Sequence, residues 1–122
     1  MAAPNIISAT TIVGKTAGVI LTTTSATAVV SNAASSGKCL KINTLNVANT
    51  TGTLTNITVS FYSGAGATGT EYKLIVAPIP ANSTLNIIDK SSQYYLEENT
   101  SIGATAGTAN TFTITCSYED IS

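Results

Sequence analysis

The 122-residue sequence has no histidine, no arginine and no tryptophan, and only five lysines set against six carboxylates. Without histidine, the commonest general base and the commonest metal ligand are both missing. Without arginine, and at a net charge of −1, there is neither the basic field nor the planar fork on which nucleic-acid binding usually rests. No nucleic-acid partner is expected. Long apolar runs are absent as well: stretches such as Val19-Ile20-Leu21 fall far short of the roughly 20 residues a membrane-spanning helix needs. Met1-Ala2-Ala3-Pro4-Asn5 shows neither a basic n-region nor a long apolar stretch, so no signal peptide is expected and the chain is read as made in a cytoplasm. Cysteine is scarce. In that setting Cys39 and Cys116 are expected as free thiols used as small core residues rather than as a disulfide.

What the sequence does hold is threonine, serine and asparagine, 45 residues in all, beside a 43% hydrophobic fraction rich in Val, Ile and Ala. That mixture has enough apolar surface for one core, and the length suits a single domain over 1–122, with residues 1–5 as an extended arm. Four Asn-x-Ser/Thr sequons begin at Asn49, Asn56, Asn82 and Asn99. About three are expected by chance in so Ser/Thr-rich a chain, so they carry no information.

The apolar period is two. Ile57, Val59 and Phe61 alternate with Thr58, Ser60 and Tyr62, and Phe112, Ile114, Cys116 and Tyr118 alternate with Thr and Ser. Such patterns describe strands with one face on a core and one in water. Between Lys38 and Val47 the phase slips, which predicts a bulge near Asn43-Thr44. Turn-rich breaks divide the chain into strands near 5–13, 18–31, 38–48, 56–63, 70–79, 83–89, 93–97, 101–105 and 111–119. Pro78 and Pro80 close the fifth of these and fit no central ladder. The expected fold is all-β, an antiparallel β-sandwich of jelly-roll or immunoglobulin-like type. Its core is expected to hold Ile57, Val59, Phe61, Leu74, Val76, Phe112 and Ile114.

Motifs with chemistry in them fail on context. Gly64-Ala65-Gly66-Ala67-Thr68-Gly69 spells a dinucleotide fingerprint, but it leads into an alternating strand where that mechanism needs a helix. It reads as a hairpin loop. Gly14-Lys15-Thr16 follows β-branched residues that resist the turn a phosphate-binding loop requires, so Lys15 reads as a solvated strand-end charge. Glu97-Glu98 and Glu119-Asp120 are strand neighbours whose side chains point to opposite faces, so neither pair converges on one substrate atom. Glu97, Glu98 and Asn99 read as a charged turn rather than a cation site. No catalytic residue, metal ligand or cofactor is expected. Tyr72, Tyr94 and Tyr95, with the loop glycines Gly64, Gly66 and Gly69, are the candidate partner-contact residues.

The opening Met1-Ala2-Ala3-Pro4-Asn5-Ile6-Ile7, the runs Gly14-Lys15-Thr16-Ala17-Gly18-Val19, Ser31-Asn32-Ala33-Ala34-Ser35-Ser36-Gly37-Lys38 and Lys41-Ile42-Asn43-Thr44-Leu45, and the ending Ser117-Tyr118-Glu119-Asp120-Ile121-Ser122 carry a resemblance. Together, and in this order along the whole chain, they resemble small virion structural proteins of tailed bacteriophages, especially phages of marine cyanobacteria. One departure is Glu98-Asn99-Thr100-Ser101, where the resemblance leads one to expect Glu-Gly-Asp-Ser; Asn tolerates the positive φ that Gly would supply. The resemblance implies a non-enzymatic virion protein, with a capsid decoration or cement protein on the head exterior as the leading role. Its partners would then be the major capsid protein and further copies of itself, as a trimer or a lattice. A tail, baseplate or fibre-tip module that binds a receptor or glycan is the alternative. The low charge suits close packing of many copies.

Overall fold

The computed structural model describes residues 8–122. The arm at 1–5 and the first part of the strand expected over 5–13 lie outside the described residues. Nine strands follow: β1 (Ile12–Ile20), β2 (Thr27–Asn32), β3 (Cys39–Asn49), β4 (Thr55–Gly64), β5 (Thr68–Ile79), β6 (Thr84–Ile88), β7 (Tyr94–Leu96), β8 (Thr100–Ala106) and β9 (Phe112–Ile121). No helix occurs among the described residues. One sheet runs β1-β9-β3-β6, with β7 also paired to β3, and the other runs β2-β8-β4-β5. All pairings are antiparallel. The chain passes repeatedly from one sheet to the other, and this interleaving defines a jelly roll. The expected β-sandwich is formed, as the first of its two variants.

The period-two patterns dictate which face is buried. Ile57 and Val59 on β4, Ile102, Ala104 and Ala106 on β8, and Phe112, Ile114 and Cys116 on β9 meet between the sheets, each at most 2% exposed. The β3 bulge falls where the phase slip placed it: Ile42 pairs Tyr118 and Thr44 pairs Ser117, so Asn43 is the extra residue. Leu40, Ile42, Leu45 and Val47 all reach the core as a result. Gly103 in β8 marks a tight spot beneath the β4–β5 hairpin. A Cβ there would lie 3.0 Å from the Ala67 Cβ, from the Thr27 carbonyl oxygen and from a Tyr62 ring carbon.

Three expectations need correction. The strand expected over 18–31 is two strands, because the chain leaves β1 at Ile20 and crosses to the second sheet before β2 starts at Thr27. Leu21 is buried in that crossover while Thr22, Thr23, Thr24 and Ser25 face solvent. The first strand begins at Ile12, later than expected, with residues 8–10 outside any strand. In β5 the pairing runs Val59 with Ile75 and Ser60 with Lys73, so Leu74 is an extra residue that reverses the phase. Ile75, Ala77 and Ile79 therefore face inward and Val76 is turned out to solvent at 61% exposure. Leu74 and Phe61 pack against the core only in part.

Candidate functional site

The turns at one pole of the sandwich are rich in small and amide residues, and the hydrogen bonds there tie neighbouring segments together. The β4–β5 loop is a hairpin, as its context predicted: Gly66 and Ala67 take positive φ and Gly64 pairs Thr68. Its backbone amides donate to the neighbouring strands β2 and β8, Gly66 to Ser31 Oγ at 2.9 Å and Ala67 to Ser101 Oγ at 2.9 Å. Gly69 also sits at positive φ, 80°. Asn99 adopts φ 59° and its Oδ1 accepts from the Ala65 amide at 3.3 Å, so the turn closes with asparagine in place of glycine. Asn32, 2% exposed, donates through Nδ2 to the carbonyls of Lys38 (2.8 Å) and Leu96 (3.0 Å), which fixes the β2–β3 loop.

On this frame sits the most concentrated charge in the molecule. Asp120 shares the inward parity of Phe112, Ile114 and Cys116, so β9 carries its carboxylate onto the core side of the sheet. The one charged residue of β1, Lys15, lies opposite Tyr118 on that same face. Lys15 Nζ donates to Asp120 Oδ2 at 2.9 Å, and Lys38 Nζ reaches the same oxygen at 3.1 Å. Burial pushes the Asp120 carboxyl up, but the two lysine bonds and their charges outweigh it and hold the group below its ordinary value. The bond to Asp120 and its charge raise Lys15 in turn. Lys15 is solvated, as expected, at 44% side-chain exposure, but it lies within β1 rather than at its end and is paired with Asp120. These side chains line a cleft of about 240 Å³ with Ser31, Asn32 and Tyr118.

The tyrosines expected to share a surface do not form one cluster. Tyr94 and Tyr95 are neighbours on β7, where Tyr95 pairs Lys41, whereas Tyr72 is on β5 in the other sheet. Tyr72 meets Phe61 instead, ring centroids 6.0 Å apart. All three tyrosines are exposed, as a contact role requires. Glu119 points away from Asp120 and pairs with Lys41 at 3.7 Å, which confirms that the two carboxylates do not converge. Glu98 accepts from the Gly37 amide. No cluster of three or more His, Cys, Asp or Glu able to hold a metal is found among the described residues. Both cysteines are free and buried, as expected. Cys39 pairs Ile121 and Cys116 pairs Leu45, which sets them about 17 Å apart along the ladder, far beyond the reach of a disulfide.

The sheet edges are the second notable feature. Among the described residues, no strand pairs the free side of β1 or of β5. These strands expose Ile12, Val13 and Ile20 in one case and Tyr72 and Val76 in the other.

The architecture defines the class: a jelly-roll β-sandwich with a polar, charge-capped pole and apolar side chains exposed on two of its edge strands, β1 and β5. No protein-family model matches the chain, and no curated protein does. Among solved structures, one of Bacillus endospore appendages, which form a family of disulfide-linked pili, is similar in fold. The likeness has 20% sequence identity and a TM-score of 0.53, over 92% of this chain and 88% of that one.

Proposed function

We propose that this chain is a non-enzymatic structural subunit of a phage virion, a decoration or cement protein that works in many copies on the head exterior. The observation that carries the reading is the apolar surface left exposed on two edge strands, β1 and β5. A monomer normally blunts an edge strand with outward charge or proline. On β1 the one charged residue, Lys15, is turned inward to Asp120, and Ile12 and Ile20 stand 57% and 63% exposed. Edge β5 carries exposed Glu71 and Lys73 and has Pro78 near its end, yet leaves Val76 and Tyr72 in solvent. Such edges suit contacts with the major capsid protein and with sister copies, and a trimer would use them in closed form. The resemblance of the sequence to phage virion proteins supplies the particle. The fold it shares with a pilus chain supports a structural role, since that chain also belongs to an assembly.

A second reading, a tail, baseplate or fibre-tip module that binds a receptor or glycan, is favoured by the polar cleft beside Asp120 and by the exposed pair Tyr94 and Tyr95. Copy number separates the two. Quantitative mass spectrometry of purified particles is expected to give hundreds of copies per particle; a few dozen or fewer would favour the tail reading.

A further inference from the structure

The cleft at the charged pole has donors left over. Each lysine ammonium carries three N–H groups and spends one on Asp120 Oδ2, and Lys15 and Lys38 are 44% and 43% exposed at the side chain. Two ammoniums against one carboxylate leave the cleft one positive charge. Asn32 is not available, because its amide is used on Lys38 and Leu96 and its Oδ1 accepts from Ser36. Ser31 also lines the cleft, with its Oγ accepting from the Gly66 amide. On the acceptor side, Asp120 Oδ1 makes no hydrogen bond among the described residues, since both lysines use Oδ2. Tyr118 supplies a half-buried aromatic wall. At about 240 Å³ the space holds roughly eight water volumes. It is smaller than the ~300–1,000 Å³ of drug-sized sites, so it suits one small group. A cleft of equal volume at the other pole, lined by Leu54, Thr55, Asn56, Gly107 and Thr108, contains no titratable side chain.

We infer that this cleft is a binding site for an acidic monosaccharide unit, a sugar ring bearing a carboxylate. The anion would take the spare N–H groups of Lys15 and Lys38 in charge-assisted bonds. The ring hydroxyls would donate to Asp120 Oδ1, and the apolar face of the sugar would lie on Tyr118. A bare inorganic anion satisfies the lysines but brings no donor to Asp120, and a neutral sugar leaves the positive charge unpaired. The site needs no particle to form, so its test is independent of the structural role proposed above.

The experiment is a titration of the isotope-labelled full chain with glucuronate, glucose and sulfate at constant ionic strength, followed by amide chemical shifts. Glucuronate is expected to move Ser31, Lys38, Lys15 and Tyr118 saturably, with glucose and sulfate moving them at least tenfold more weakly. The variant Lys38→Gln should weaken glucuronate about tenfold, while Lys41→Gln, on the outer face, should leave it unchanged; the spectrum itself reports whether each variant is folded. Equal response to sulfate would reduce the cleft to a simple anion site and overturn the inference. So would no saturable shift, or shifts clustered elsewhere.

Discussion

Ile75 lies opposite Val59 across the β4–β5 ladder, and this pairing leaves Val76 on the outer surface of an edge strand, 61% exposed. An apolar side chain placed there by a bulge contributes little to the fold. Val76→Lys and Ile20→Lys should therefore each change unfolding free energy by no more than about 0.5 kcal/mol. Both should weaken association with sister copies or with capsid. Chemical denaturation checks the first expectation, and co-sedimentation with particles lacking the protein checks the second.

Two buried asparagines do the opposite work, one at each pole. Asn49, 2% exposed, donates to the carbonyls of Thr53 (2.8 Å) and Ile79 (3.0 Å) and accepts from the Thr51 amide and hydroxyl. Replacing it by alanine strands a buried carbonyl as well as deleting the bonds. Asn49→Ala should cost about 2–3 kcal/mol, read as a lowered midpoint in urea.

The thiols are expected to be inert in the folded protein. Burial pushes Cys116 up to about 12. At pH 8 only about one molecule in ten thousand then carries the thiolate that reacts. Burial, then the charge of Glu97, raises Cys39 as well. Iodoacetamide at pH 8 should leave Cys116 unmodified in native protein and label both cysteines in denaturant; rapid native labelling of Cys116 would count against the buried placement.

The Lys15–Asp120–Lys38 cluster makes stability depend on pH in a defined way. Asp120 sits below its ordinary 3.8 in the folded state, so its contribution is complete above that value and is lost as pH falls through the lower, folded value. Lys15 is raised above 10.5, so its contribution is complete below 10.5 and is lost as pH climbs through the higher, folded value. Asp120→Asn should be less stable than the parent near neutrality. The gap should close both below about pH 4 and above about pH 10.5, as followed by thermal melts across pH.

Much of this was legible in the residues. Alternation at Ile57–Val59 and Phe112–Cys116 identified both inward faces, and the slip between Ile42 and Leu45 located a bulge. The Leu74 bulge left no such mark, because Leu74-Ile75-Val76-Ala77 is apolar on both parities and either phase looks like a core strand. The β1–β2 crossover was hidden by Leu21 and the β-branched run Thr22-Thr23-Thr24, which suit a strand but here pass between sheets. The charged pole did have a signal. Asp120 continues the even parity of Phe112, Ile114, Cys116 and Tyr118, and a carboxylate on a core face calls for a cation. Which lysines answer it depends on β1 lying beside β9, a pairing between distant parts of the chain that local patterns do not encode.

On the function proposed above, copies of this chain work as a structural array joined through their open edges. A three-dimensional map of the particle that carries the protein tests it most directly. The account predicts many copies per particle, each with β1 or β5 packed on or hydrogen-bonded to a sister copy or a coat subunit. Isolated single copies, with β1 and β5 open to solvent, would contradict it.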